Sequence, residues 1–408
     1  MTTHPVIQWH EAGEDKVCRW HSESATPPPK KVVIADDRMT ADVAFRLACE
    51  GTALLWRGDY QNARQLLQAM ARRADEKPRK PKKIAASPTE AFHMHRLAQS
   101  QRSRTLGMLL LPFNADHSIP LRRAPDVHIA CEEAYDVTAE PYIASLRGLL
   151  GVIGAHEWRK NGVEIPVLAG MPASLTPTLS HGEREQTNRC ANSASYARIH
   201  PHYGVFAPIR GEYVGLVNDT PLPELLTTRS VAFDIGSGTG VLAAVLARRG
   251  IKRIVATDQD QRALACAREN ITRLGMAEQI TITQADLFPE GRAALVVCNP
   301  PWVPARPSSP LEYAVYDPES RMLRGFLNGL AEHLEEGGEG WLILSDLAEH
   351  LGLRSRTELL EMIEKAGLQV LSKSDVKPHH PKTTDTSDPL YTARAAELTS
   401  LWRLGKTI

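Results

Sequence analysis

The stretch 231-VAFDIGSGTGVLAAVLARRG-250 decides the fold. Its opening residues read as a strand and 239-TGVLAAVLARRG-250 as a helix, and the join between them carries Gly236, Gly238 and Gly240. A glycine-rich loop that follows a strand and opens a helix lets a ligand approach the backbone closely, since glycine takes positive φ without a Cβ clash. The spacing then discriminates between ligands. A dinucleotide fingerprint needs its third glycine at position 241, which is Val241; here it is Gly240, and the loop begins with an acid, Asp234. A carboxylate beside the loop suits a cationic ligand and repels a pyrophosphate.

Downstream, strands and helices alternate. 253-RIVATD-258 reads as a strand, 260-DQRALACARENITRLG-275 as a helix, and 279-QITITQAD-286 and 293-AALVVCN-299 as further strands. A helix is expected over 321–338, a strand over 340–346, a helix over 355–367, and two strands over 368–378 and 396–405. This order predicts an α/β fold, a mostly parallel sheet with helices on both faces and ligands at the carboxyl ends of the strands. The two final strands lie too close for a full crossover helix, so the last is expected to run antiparallel.

Two acids fall at strand ends. Asp258 closes the second strand 18 residues beyond Gly240, where a carboxylate can take both hydroxyls of a ribose, with Gln259 next to it. Asp286 and Leu287, in 285-ADLF-288, close the third. The fourth strand runs into 299-NPPW-302, followed by more prolines. Pro300 and Pro301 lack a backbone N–H and fix their own φ, so Asn299 stands at the rigid end of a strand that cannot continue.

Taken in order, D-x-G-x-G-x-G, Asp258, ADLF and NPPW resemble the class I S-adenosylmethionine-dependent methyltransferases over roughly residues 200–408. The resemblance implies a Rossmann-like domain binding S-adenosylmethionine through Asp234, Gly236, Ser237, Gly238, Gly240, Asp258, Gln259, Asp286, Leu287 and Asn299. In it the position of Asp286 accepts from the adenine amino group, and the residue after it frames the ring. The N-P-P-aromatic motif of the family serves planar, weakly nucleophilic nitrogens: exocyclic amines of nucleobases and the glutamine side-chain amide. Asn299, Pro300, Pro301 and Trp302 are thereby implied as the catalytic group. The Asn299 side-chain oxygen and the Pro300 carbonyl would accept the target N–H groups, the prolines would fix that pair, and Trp302 would offer a face for a flat substrate.

Two branches of the family fit. Release-factor glutamine methyltransferases carry segments resembling 204-GVFAPIRGEYVGLV-217 and 316-YDPESRMLRGF-326. Ribosomal-RNA guanine methyltransferases of the small-methyltransferase group include members with an N-terminal domain of the size found here. Trp302 in place of the usual tyrosine, that domain, and the basic stretch 77-KPRKPKK-83 favour a nucleobase amine in RNA, ribosomal RNA first. A protein glutamine is the alternative, and a non-catalytic RNA-binding or assembly factor a third reading.

The rest of the chain is less informative. Residues 1–36 read as an N-terminal arm, 37–168 as an α-rich domain that could recognise the substrate, 169–197 as a disordered linker, and 198–408 as the methyltransferase domain. The linker is expected because 171–197 is rich in Ser, Thr, Pro, Asn and Gln and has almost no apolar periodicity. The 48 basic residues equal the 48 acidic ones, so no overall field draws a polyanion. The 6 cysteines form no C-x-x-C pair, which excludes a zinc ribbon, leaves no metal site expected, and suits a reducing cytoplasm. No signal peptide or membrane span is expected.

Overall fold

The computed structural model describes residues 4–76, 85–135, 139–169, 198–227, 230–307, 310–379 and 381–407. The chain divides into two compact units, Met1–Glu157 with Ser308–Pro310, and Trp158–Pro307 with Leu311–Ile408. The boundary thus falls before residue 158, upstream of the segment read as a linker, of which residues 170–197 lie outside the described residues, as does the basic stretch 77–83.

The first unit is built on a sheet. Strands β1 (Val6–Glu11), β2 (Glu14–Trp20), β3 (Lys31–Ala35), β4 (Thr52–Trp56), β5 (Leu109–Phe113) and β6 (Tyr142–Ser145) pair in the order β1-β2-β6-β5-β4-β3. Helices α1 (Ala41–Cys49), α2 (Tyr60–Asp75), α3 (Pro88–Leu106), α4 (His128–Ala134) and α5 (Leu146–Asn161) hold more residues than the strands, as an α-rich domain should, but they do not organise it. Residues 1–36 are accordingly no arm, since they supply three of the six strands. Ala12 and Gly13, at φ 53° and 83°, form the two-residue turn between β1 and β2 that fits the right-handed twist of a hairpin. Helix α3 stops at Leu106, because the apolar run Leu109–Leu111 is buried as a strand between β4 and β6.

One local correspondence links the two units. At a constant offset of 199 residues, Val32–Asp59 lines up without a gap on Val231–Asp258. Both stretches fold as strand, helix, strand with the two strands parallel. The positions of Asp234, Gly236, Gly238 and Gly240 are Ala35, Asp37, Met39 and Ala41 in the first unit. The counterpart of Asp258, the buried Asp59, is ion-paired to Arg122 and Arg123, and the Arg123 guanidinium holds its carboxyl down at about 2. The first unit repeats the scaffold without the glycine loop.

The second unit carries the sheet the sequence predicts. After the short strands β7 (Val163–Glu164) and β8 (Arg198–Ile199) come helix α6 (Glu212–Asp219), β9 (Ala232–Ile235), α7 (Val241–Arg248), β10 (Ile254–Asp258), α8 (Gln261–Arg273), β11 (Ile280–Gln284) and β12 (Ala293–Cys298). Then follow α9 (Arg321–His333), β13 (Leu334–Ser345), α10 (Leu347–His350), α11 (Arg356–Lys365), β14 (Leu368–Val376), α12 (Tyr391–Ala396) and β15 (Thr399–Lys406). The strand order is β11-β10-β9-β12-β13-β15-β14, with β15 antiparallel to both neighbours. The helix expected over 321–338 ends at His333, because Leu334 is already paired with Ala293 of β12.

Successive strand residues face opposite sides, so one sheet fills two cores. Ala232, Leu295, Val297 and Trp341 pack on one side; Phe233, Val296, Cys298 and Leu342 pack on the other. Strands buried on both faces need continuous apolar runs, which is why β12 reads AALVVC. The chain leaves β9 toward β10 in one direction and β12 toward β13 in the other. The crevice beyond the carboxyl ends of β9 and β12 is therefore the switch point where such sheets bind ligands.

Candidate functional site

Strand register gathers the predicted residues at that crevice. Ile235 is paired with Cys298 on one side and with Thr257 on the other. One residue further along the chain come Asn299, Gly236 and Asp258, each at the carboxyl end of one of three adjacent strands. The glycine loop turns as its composition requires, with φ of 71° at Gly236, 54° at Gly238 and 80° at Gly240. At Gly236 the positive φ is what requires glycine, since the one atom a Cβ would meet closely is the mobile Cε end of Met322.

Asp234 lies below the loop, with its residue only 1% exposed. Its Oδ2 accepts the Ala243 N–H at 3.1 Å, tying the end of β9 to the first turn of α7. Burial pushes its carboxyl up to about 7. Asp258 accepts the Gly238 N–H through Oδ2 and the Asp260 N–H through Oδ1, both at 3.0 Å, and burial raises its carboxyl as well. Asp260 caps α8 by accepting the Arg262 N–H, which leaves Asp258 for the loop. Among the described residues, no Lys, Arg or His forms an ion pair with Asp234 or Asp258.

The outer predicted residues are less fixed. Gln259 is exposed. Asp286 is exposed too and ion-paired to Arg321 at 3.0 Å. Leu287, at φ 81°, turns its carbonyl to the Thr257 hydroxyl at 2.5 Å and lays Cδ1 against Gly325. Leu287 is thus locked against Thr257 and Gly325, while Asp286 stands in an exposed ion pair of the kind that contributes little.

At the other side of the crevice, the Trp302 indole N–H donates to Asn299 Oδ1 at 2.8 Å. The ring is half-buried, packs against both cores, and has the Arg210 guanidinium 5.7 Å from its centroid. The expected free stacking face is correspondingly reduced. Four supporting residues have no motif to reveal them. Arg210 is paired with the fully buried Glu397 at 3.1 Å. Arg354, only 3% exposed, reaches the Trp302 carbonyl at 3.4 Å. Asp317 caps the start of α9 by accepting the N–H groups of Met322 and Leu323. Their sequence signals were slight: Arg210 and Asp317 lie in the two segments that resemble the glutamine enzymes, and Arg354 and Glu397 give none. Of the two histidines that precede the first of those segments, His200 donates its backbone N–H to Asn270 Oδ1 at 2.8 Å and the His202 ring meets Glu269 at 2.7 Å.

S-adenosylmethionine fits these residues. A cationic ligand answers two carboxylates raised by burial and without a basic partner. The Ser237 hydroxyl, buried in the loop, has no hydrogen-bond partner among the described residues, and the Gly236 backbone is bare of Cβ. Replacing Asp258 by Ala is expected to weaken S-adenosylhomocysteine binding by about 1–3 kcal/mol in calorimetry, the penalty for unpaired hydrogen-bonding groups. NAD binding in its place, or undiminished affinity in the variant, would contradict the assignment.

Comparison with known proteins agrees. Residues 204–367 match the family model of the Methyltransferase small domain. A release factor glutamine methyltransferase from Cereibacter sphaeroides is 30% identical over 178 residues, covering 40% of this chain and 60% of that protein. A ribosomal protein L11 methyltransferase from Pelotomaculum thermopropionicum is 45% identical over 69 residues, 16% of this chain and 22% of its own length. The chain therefore spans less than two thirds of these relatives. A solved ribosomal protein L11 methylase from Lactobacillus delbrueckii subsp. bulgaricus is 17% identical over 48% of this chain and 78% of that one, at a TM-score of 0.33. In its strand order, its glycine loop and the match over residues 204–367, the second unit is similar to the Methyltransferase small domain, as expected of an S-adenosylmethionine-dependent methyltransferase.

Proposed function

We propose that the protein transfers a methyl group to a planar, conjugated nitrogen held at Asn299. The observation that carries this reading is that Asn299 and Gly236 directly follow the paired strand ends Cys298 and Ile235, with the Asn299 oxygen bonded by the Trp302 indole. S-adenosylmethionine, when bound, supplies an electrophilic methyl group. The chain supplies position. A conjugated nitrogen offers no lone pair while its N–H groups lie in the plane; two fixed acceptors, Asn299 Oδ1 and the Pro300 carbonyl, hold those hydrogens and turn the lone pair toward the methyl group. Pro300 and Pro301 keep the acceptors still, so the gain comes from preorganisation.

Of the planar nitrogens, the glutamine side-chain amide of a protein is the better supported. Its support is the match to release factor glutamine methyltransferases together with Asp317, which stands where their acid-Pro segment stands and anchors α9 beside the loop. A nucleobase amine in RNA is the second reading, favoured by a first unit of about 157 residues ahead of the domain and by the basic stretch 77–83. In both, the first unit is assigned substrate recognition and the protein a cytoplasmic setting; among the described residues, no helix is long and apolar enough to cross a membrane.

Cell extract incubated with methyl-labelled cofactor separates the two. Label in a protease-sensitive, RNase-resistant fraction is expected. Label in an RNase-sensitive fraction would replace the glutamine reading with the RNA one.

A further inference from the structure

We infer that Trp302 serves the reaction as the residue that orients the Asn299 amide, and that Arg210 and Glu397 act as positioning residues by holding Trp302. The inference rests on the proposed transfer to a planar nitrogen. An Asn amide has two nearly isosteric ends, an acceptor oxygen and a donor NH2. With the NH2 end facing the target, its hydrogens would meet the target's own N–H groups and the substrate would be repelled. The indole N–H is a donor only, so it bonds the oxygen end alone. At 2.8 Å it fixes Oδ1 in place and engages one of its two lone pairs, leaving the other for a substrate N–H. A phenylalanine at this position has no donor and would leave both orientations open.

The orienter must itself be immobile. The indole packs against both cores of the second unit, beneath the Arg210 guanidinium, while Arg354 meets its carbonyl. Arg210 is held in turn by Glu397, a fully buried carboxylate that also accepts the Ser345 hydroxyl at 2.8 Å. Ser345 ends β13, so the clamp is anchored in the sheet.

Nitrogen-edited NMR of the isotope-labelled full chain tests the orientation directly. Of the indole signals from the 7 tryptophans, the one missing in Trp302→Phe belongs to Trp302; Trp302→Tyr gives the same assignment if the Phe variant folds poorly. In Asn299→Ala that signal is expected to move upfield and to exchange with solvent at least tenfold faster. Arg210→Gln is expected to broaden it while S-adenosylhomocysteine affinity stays within threefold. Methyl transfer into extract should fall about tenfold or more in Trp302→Phe, which has no donor for Asn299 Oδ1, with cofactor affinity again unchanged. A Trp302 signal unmoved by Asn299→Ala would overturn the inference, as would full activity in Trp302→Phe. If the wild-type protein transfers no methyl group while the indole signal responds as described, the proposed function fails and the orientation of Asn299 stands.

Discussion

Asn299→Ala is expected to lower methyl transfer into extract by roughly 10²–10³-fold, the scale of removing one preorganised polar contact to the reacting group. The protein should remain folded, because the residue is half-exposed and, among the described residues, its side chain bonds only the Trp302 indole. S-adenosylhomocysteine affinity should change by no more than a few-fold, although Asn299 also borders the cofactor loop. Asn299→Asp provides the complementary case. It keeps an oxygen for Trp302 but adds a negative charge beside the methyl donor, so binding should tighten while turnover stays low. A rate loss in Asn299→Ala matched by an equal loss of cofactor affinity would mean that the residue binds the cofactor and does not act on the target nitrogen.

Asp234→Asn is expected to move stability and cofactor binding in opposite directions. An unfolded aspartate titrates near 3.9, whereas burial holds Asp234 at about 7 in the folded protein. Between these values the folded state keeps a proton that the unfolded state has lost. Its contribution is therefore fully present below about pH 4 and is lost as the pH rises through about 7. Asparagine keeps the acceptor for the Ala243 N–H without the charge. The variant should match the wild type near pH 4 and exceed it by roughly 2–4 kcal/mol at pH 8 in urea unfolding. Cofactor affinity should fall by about tenfold, since the carboxylate that would answer a cationic ligand is gone. Equal stability at both pH values would show that Asp234 is charged in the empty protein.

The legible parts of this chain are those whose geometry is local. The glycine loop, Asp258, Asp286 and NPPW each sit at a strand end that the apolar pattern announces, and a parallel sheet must bring such ends together. What holds them was not legible. Arg210 and Glu397 are 187 residues apart, and His200 and Asn270 are 70 apart; no spacing rule connects them. The Trp302–Asn299 bond is local, yet an aromatic after two prolines reads first as a stacking surface, and only the backbone turn aims its N–H at the amide. In the first unit the strands are short, with β6 only four residues long. Its sheet mixes parallel and antiparallel pairs, so neither alternation nor crossover length betrays it. The hairpin turn at Ala12 and Gly13 was the signal that residues 1–36 belonged to a sheet.

The central claim is that Asn299 presents a planar nitrogen to the methyl group. Its most direct test is the chemical identity of the product. After transfer from methyl-labelled cofactor into extract, the labelled material is hydrolysed enzymatically and resolved by mass spectrometry. The methyl group should appear on an amide or exocyclic amine nitrogen, as an N-methylated glutamine or an N-methylated nucleobase, and should be absent when Asn299→Ala is used. Label recovered instead as a base-labile methyl ester, on a lysine amine or on carbon would contradict the account, because none of those targets needs the two acceptors that the Asn-Pro-Pro turn provides.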